Sequence, residues 1–308
     1  MVSAEHVIPG IDDPTCGIAV AAKHLIARGV GEDGEVWVHS MWTPMVIKAS
    51  IAALLKGKKL VRMPHGCTDP EKLRYHWHKK RWVAPIERWL FRRADRIIAT
   101  CEDEVKWIRA FEPRVKNVEL IPLYSPIPHL SAIASATADS SSLNLLFVGR
   151  LHPLKGVEFL IEALHAIQSS SESMRSLRSL RLKIIGKDEG EGPKLRRMVA
   201  DYNLYVEFCG IVSDEEKNAS YDWCDVLVLP TLSENFGLVV AEALERGKRV
   251  ITTDGAPAWS PSASATEDKC DGNDYGGRLI YLKSYRDGSD ETRVNLLKNA
   301  IEFLAEQC

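Results

Sequence analysis

Short apolar runs closed by a turn residue alternate along this chain with longer segments whose apolar residues fall at three- and four-residue spacing. That alternation predicts parallel strands joined by helical crossovers. In the second half, Leu145 to Val148, Leu182 to Ile185, Val206 to Gly210, Asp225 to Leu229 and Lys248 to Thr253 read as strands buried on both faces of a sheet. Helices are expected through Phe159, Leu160, Ile161, Ala163 and Leu164, from about Gly237 to Gly247, and through Leu296, Leu297, Ile301 and Leu304. In the first half, His6 to Gly10, Val36 to Ser40 and Leu60 to Met63 read as strands. Asp13-Pro14-Thr15-Cys16-Gly17 is the loop that starts a helix through Ala19, Ala22, Leu25 and Ile26.

The pattern breaks once for long. After Val118-Glu119-Leu120-Ile121-Pro122, the stretch from Leu123 to Ser142 is rich in Ser, Ala and Pro and reads as a linker. The expected organisation is therefore a first domain over residues 1–124, a linker over 125–142 and a second domain over 143–308. Each domain is expected to be a doubly wound parallel α/β sheet, the two facing a cleft. Ser169-Ser170-Ser171-Glu172-Ser173 reads as an exposed loop.

Composition narrows this picture only slightly. With 308 residues, 45% hydrophobic and 27% charged, the chain can bury two moderate cores. No apolar run approaches the roughly 20 residues needed to span a bilayer, and the first residues lack a cationic start and apolar core, so a cytoplasmic protein is expected. Seven cysteines are scattered singly, without zinc-ligand spacing, and no Asp-x-Asp pair ends a strand. No metal or resident cofactor is expected.

Two segments carry candidate chemistry. Ser233-Glu234-Asn235-Phe236-Gly237-Leu238-Val239-Val240-Ala241-Glu242 runs from a strand end into a helix, with Glu234 on the loop and Glu242 inside the helix. At about 1.5 Å of rise per residue the two carboxylates stand roughly 12 Å apart or less, about the distance between the two diols of a sugar nucleotide. Each carboxylate accepts from neighbouring hydroxyls, while unpaired helix amides between them face a diphosphate. A capped loop and a solvated glutamate have the same spacing. The second segment, Leu145 to Val157, places Gly149, Arg150, Lys155 and Gly156 between a strand and a helix. Arg150 can fork onto two phosphate oxygens and Lys155 adds a point charge, although a surface turn reads similarly.

Together and in this order, the two motifs resemble the donor-binding half of glycosyltransferase family 4 in the GT-B superfamily. Leu182 to Pro193 resembles that family's strand and Gly-rich turn, and Val206 to Gly210 its strand beside the nucleobase. The resemblance implies that Arg150 and Lys155 bind the diphosphate, that Glu234 holds the sugar hydroxyls, and that Gly149 and Asn235 belong to the same donor site. It further places the amides of Phe236, Gly237 and Leu238 against phosphate and sugar, Gly210 beside the base and Glu242 on the ribose. In the first half, the family's Gly-Gly loop corresponds to Cys16-Gly17, so only Gly17 allows the close approach to donor phosphate. His65, in Pro64-His65-Gly66, matches the family's His near the reacting sugar, whereas His39 at the preceding strand end is a weaker match. The first half is shorter than the family's usual length.

The implied activity is that of a retaining glycosyltransferase that moves a hexose or heptose from a nucleoside-diphosphate sugar to a glycan or glycolipid, in lipopolysaccharide or other cell-surface polysaccharide assembly. Arg150, Lys155 and the helix amides would meet charge on the departing diphosphate, with Glu234 as a positioner. An epimerase on the same fold and a non-catalytic sugar-nucleotide binder are the alternatives.

From Lys56 to Arg96 there are thirteen Lys and Arg against four Asp and Glu, in a chain of net charge −2. Within residues 72–96, Trp77, Trp82, Trp89 and Phe91 interleave with Lys79, Lys80, Arg81, Arg88, Arg92 and Arg93. Such a helix can rest on anionic lipid at the inner face of a membrane, or be a solvated helix whose Trp residues pack on the core. A nucleic-acid binder would share this composition, but it leaves the paired glutamates and the Gly-Arg-(x)4-Lys element without a purpose. No nucleic-acid partner is expected.

Overall fold

The apolar runs become strands because they can be closed off from water on both faces. A computed structural model describes residues 4–12, 16–123, 142–170, 179–260 and 278–306. It divides into two compact units, Met1–Ser125 and Pro126–Cys308. Most of the linker, Asp13 to Thr15, Ser171 to Ser173, Cys270 and Cys308 lie outside the described residues.

In the first unit β1 (Glu5–Val7), β2 (Glu35–His39), β3 (Lys59–Met63), β4 (Arg96–Ala99) and β5 (Val118–Leu120) pair in parallel. The intervening helices are α1 (Gly17–Ala27), α2 (Pro44–Leu55), α3 (Pro70–Arg74), α4 (Trp77–Arg93) and α5 (Glu102–Phe111). Val36, Val38 and Leu60 pack with Val46 and Ala53 of α2, and Ile97 and Ala99 pack in one cluster with Phe91, Ile108 and Phe111. One buried ion pair ties sheet to helix: Arg62 on β3 donates to Glu87 on α4 at 2.8 Å, with both side chains shut off from solvent.

The second unit holds β6 (Ser142–Val148), β7 (Ser179–Ile185), β8 (Val206–Gly210), β9 (Val226–Leu229), β10 (Arg249–Thr253) and β11 (Leu279–Leu282), again all parallel. Its helices are α6 (Val157–Ser169), α7 (Gly192–Asp201), α8 (Asp214–Trp223), α9 (Leu238–Glu245) and α10 (Asp290–Glu306). Helix starts follow local chemistry: the Ser213 side chain accepts from the Glu216 amide while the Glu216 carboxylate accepts from the Ser213 amide, a reciprocal cap on α8.

Both sheets are parallel and carry helical crossovers, which is the expected class. Their winding differs. The second sheet runs β11-β10-β9-β6-β7-β8, so the chain leaves β6 in one direction and later returns to its other edge with β9. The first runs β1-β2-β3-β4-β5 in chain order. Every crossover there steps the same way among the described strands, whereas the second sheet reverses at β6.

The segment 72–96 folds as α3 and α4, and its Trp residues do not all pack on the core as one reading expected. Ala84, Glu87, Leu90 and Phe91 form the buried side of α4, whereas Trp82 is 73% exposed. Trp77 and Trp89 are also exposed. Arg81 lies over the Trp82 ring and Arg93 over Trp89, at 4.9 and 5.9 Å from the centroids.

Candidate active site

In an open parallel sheet, ligands bind beyond the carboxyl ends of the strands where the winding reverses. Here that point lies between β6 and β9, and the two candidate motifs are the loops that leave these two strands. The loops are stitched together by backbone. Leu232 N donates to Leu154 O at 2.8 Å, and Thr231 Oγ1 donates to the same carbonyl at 3.0 Å. Gly156 adopts φ +64°, and a Cβ there would lie 2.0 Å from the Pro230 carbonyl oxygen, so only glycine permits this approach.

The consequence is a direct contact between two predicted site residues: Lys155 Nζ donates to Glu234 Oε2. Lys155 is buried and Glu234 partly so, which strengthens their attraction relative to a surface pair. Glu234 is itself held by backbone, its amide donating to Gly255 O at 2.7 Å and its Oε1 accepting from Asn235 N at 3.0 Å. Gly237 follows at φ +71°, and Leu238 begins α9 with no side-chain cap. Val240 N donates back to Gly237 O at 2.9 Å, while the amides at the very start of a helix precede any intrahelical acceptor, so this end favours a negative charge. Phe236 is fixed from the other side, where Trp259 Nε1 donates to its carbonyl and the rings meet edge to face at 5.4 Å.

Glu242 lies one helical stretch further and is not a freely solvated glutamate. Tyr221 Oη donates to its Oε2 at 2.7 Å and Lys217 Nζ to its Oε1 at 3.4 Å. Burial, with Glu242 beside it, pushes the Tyr221 hydroxyl well above its ordinary pKa, so it stays a donor. Neither partner announces itself in the sequence, because both come from α8, more than twenty positions away.

Beside the loops, β6, β7 and β8 end or continue in Gly149, Gly186 and Gly210. Gly149 N donates to Ile185 O and Gly186 N to Gly210 O, at 2.9 and 2.8 Å. A Cβ at Gly186, φ +140°, would fall 1.9 Å from the Gly149 carbonyl oxygen. Next to this row a pocket of about 100 Å³ is lined by Leu151, Ile184, Asp188, Arg196, Phe208 and Gly210 among others. Arg196 lies over the Phe208 ring at 4.4 Å. Asp188 accepts from the amides of Gly190 and Gly192, which hold its carboxyl below the usual range. Phe208 lies in the segment that resembles the strand beside the nucleobase, whereas Arg196 and Lys187 carry no motif of their own in the sequence.

Arg150 is exposed and donates to both oxygens of Glu189 at 2.9 Å, a partner supplied by the Gly-rich turn after β7. The structure therefore groups Gly149, Arg150, Lys155, Gly210, Glu234, Asn235, Phe236, Gly237, Leu238 and Glu242 in the second unit. Gly17 and His65 belong to the first. Gly17 opens α1 behind Cys16, and a Cβ there meets nothing within 4 Å. His65 follows β3 at φ +53°, buried, with Nε2 2.8 Å from His39 Nδ1. The next residue, Gly66, donates its amide to the buried Glu104 at 2.5 Å. Among the described residues no group of three or more His, Cys, Asp or Glu could hold a metal, and no helix is long and apolar enough to cross a membrane.

Two parallel α/β units, the second wound about a Gly-lined switch point, define the GT-B architecture. Solved structures agree: Anabaena HepE in complex with UDP and glucose superposes at TM-score 0.60, with 19% identity over 96% of this chain and 76% of that one. WaaG, a glycosyltransferase involved in lipopolysaccharide biosynthesis, superposes at 0.63 with 16% identity over 100% and 94%. The family described as glycosyl transferases group 1 matches residues 142–265, and the glycosyl transferase 4-like domain matches residues 35–123. Both units therefore match glycosyl transferase domains, 4-like in the first and group 1 in the second. It is 30% identical over 175 residues to D-inositol 3-phosphate glycosyltransferase of Nocardiopsis dassonvillei, a match that spans 53% of this chain and 40% of that relative.

Proposed function

We propose that this protein transfers a sugar, with retention, from a nucleoside-diphosphate sugar to a glycan, glycolipid or phosphorylated polyol. The observation that carries the reading is the Lys155–Glu234 pair at the switch point, beside the uncapped start of α9. Lys155 and the amides near Gly237 offer positive potential for the departing diphosphate, and a bound diphosphate can draw Arg150 away from Glu189. Glu234 is a positioner that accepts from sugar hydroxyls, held in place by its contact with Lys155. Glu242 accepts from the ribose, held for that role by Tyr221 and Lys217. The base enters the pocket over Phe208 and Arg196, where a planar ring finds both an apolar face and a cation.

Two finer points belong to the same reading. The relatives carry the names of an inositol-phosphate glycosyltransferase and of an enzyme of lipopolysaccharide biosynthesis, so both acceptor classes enter the assay. The exposed Trp82, Trp77 and Trp89 with their neighbouring cations suit contact with an anionic membrane, consistent with a lipid-linked acceptor.

Thermal unfolding with UDP, GDP, ADP and their sugar conjugates tests the donor. One nucleoside diphosphate should raise the midpoint, and failure of every one would end this reading. Sugar turnover without acceptor would instead favour an epimerase, and binding without turnover a non-catalytic relative.

A further inference from the structure

Trp259 stands on the short turn Pro257–Trp259 after β10, is buried, and belongs to neither of the two donor motifs. Its turn is tied to the end of β10, with Ala256 N donating to Thr253 O at 2.9 Å and Trp259 N to Ala256 O at 3.1 Å. From there the indole reaches the loop that leaves β9. Nε1 donates to the Phe236 carbonyl, and the two rings meet edge to face at 5.4 Å. A Cβ placed on Gly237 would lie 3.3 Å from Trp259 Nε1 and 3.4 Å from Glu234 Cγ, so the indole sits directly against Gly237.

The Phe236 carbonyl and the Gly237 amide belong to one peptide unit. Among the described residues every peptide bond is trans, and in a planar trans unit the C=O and N–H point in opposite directions. Holding the carbonyl against the indole therefore turns the Gly237 N–H away from the β10 loop. On its other side β9 is flanked by β6, whose loop carries Lys155.

Two amides of this loop are already engaged, Glu234 N on Gly255 O at 2.7 Å and Asn235 N on Glu234 Oε1 at 3.0 Å. Gly237 is buried, and its amide meets no acceptor among the described residues. Buried backbone donors are almost always paired, so one left open beside the Lys155–Glu234 contact calls for an acceptor from outside the chain.

We propose that Trp259 is a positioning residue of the donor site: by holding the Phe236 carbonyl it presents the Gly237 amide to an oxygen of the donor diphosphate. The direction of the peptide is set by contacts within the chain, whereas the diphosphate as its partner rests on the sugar-transfer reading. An amide fixed in advance by a buried indole needs no reorganisation when charge grows on the departing group. Lys155 supplies charge at this place, and the fixed amide supplies direction.

Phe-Gly occurs once in the chain, at 236–237. Labelling with 13C-carbonyl phenylalanine and 15N-glycine therefore leaves a single peak in a carbonyl–amide correlation spectrum, that of the Gly237 amide. UDP, GDP and ADP are titrated into the full chain. The one that raises the unfolding midpoint should move this peak, and its nucleoside without phosphates should not. In Trp259→Phe, which keeps an aromatic ring and loses the N–H, the donor-free peak should move while urea unfolding stays cooperative. In that variant kcat for transfer should fall about 10-fold with little change in donor KM. A Gly237 peak that ignores a bound nucleoside diphosphate, or moves as far with the nucleoside alone, would overturn the positioning role. So would a folded Trp259→Phe with wild-type kcat, and where that variant loses its fold the wild-type titration decides alone. If none of these nucleotides stabilises the chain, the sugar-transfer reading itself fails and the diphosphate role falls with it.

Discussion

Lys155 and Glu234 lie 79 positions apart in the chain and their charged ends are in contact. The pairing is enforced by backbone, through the Leu154 carbonyl that accepts from both Thr231 and Leu232. Removing the cation deprives a partly buried carboxylate of its counter-charge and, on the proposed reading, a bound diphosphate of one fixed cation. Lys155→Ala should lower transfer by about 10²-fold or more, the scale for loss of one group that meets developing charge. Arg150→Ala should act in the same direction, through an exposed cation whose present partner is Glu189. Steady-state transfer rates check both, and near-normal transfer by Lys155→Ala contradicts the leaving-group role.

Glu242 should separate from Glu234 in its kinetic signature. If it holds the ribose, Glu242→Ala weakens donor binding about equally in ground and transition states, so KM rises while kcat holds. Tyr221→Phe keeps the carboxylate and its Lys217 contact but removes the 2.7 Å hydrogen bond, so its KM should fall between wild type and Glu242→Ala. A drop in kcat without a change in KM is the opposite result.

Much of this site is legible in the amino-acid order because strand ends and Gly turns are local features. Gly156, Gly210 and Gly237 stand where positive φ requires them, and the loop position of Glu234 follows from Pro230 and the helix after Gly237. What pairs with what is not local. Glu189 on Arg150, Tyr221 on Glu242 and His39 against His6 and His65 each depend on which strands lie side by side. Sheet order has the same character: the same alternation of strand and helix suits a sheet that reverses and one that does not, and the first unit does not.

Gly156 and Gly34 both adopt positive φ, +64° and +81°, yet their surroundings differ. A Cβ at Gly34 meets nothing within 4 Å, so Gly34→Ala should cost only the backbone strain, about 1–2 kcal/mol. At Gly156 the added carbon would sit 2.0 Å from the Pro230 oxygen, and the Lys155 loop must move. Gly156→Ala should therefore lose clearly more stability than Gly34→Ala and also lose nucleoside-diphosphate binding. Denaturant unfolding and a thermal-shift titration on the two variants decide it, and equal losses would refute the close-approach argument.

Arg62 and Glu87 form an ion pair shut away from solvent, with Arg62 Nε and Nη1 lacking partners among the described residues. Breaking such a pair strands a buried charge. Glu87→Ala should cost about 3–5 kcal/mol, whereas Arg62→Met with Glu87→Leu should cost far less, because the double change removes both desolvation penalties. A double-mutant cycle by urea unfolding measures the difference, and additive losses would contradict it.

The buried imidazoles make stability depend on pH in one direction. His39 and His65 are neutral in the folded chain, with His65 depressed to about 3, while in the unfolded chain both titrate near 6.5. Below 6.5 the unfolded state binds more protons, so the stability they confer is fully present above that pH and is lost as pH falls toward 3. Each histidine should remove about 1.4 kcal/mol between pH 7.5 and 5.5. Glu104, whose pKa is raised by burial, works with the opposite sign, since the folded state then takes up its proton first. Comparing wild type with His39→Gln cancels the Glu104 contribution. The variant should lose about 1.4 kcal/mol less than wild type over that interval. Equal losses in urea unfolding over that interval would mean that His39 titrates in the folded protein as it does in the unfolded chain.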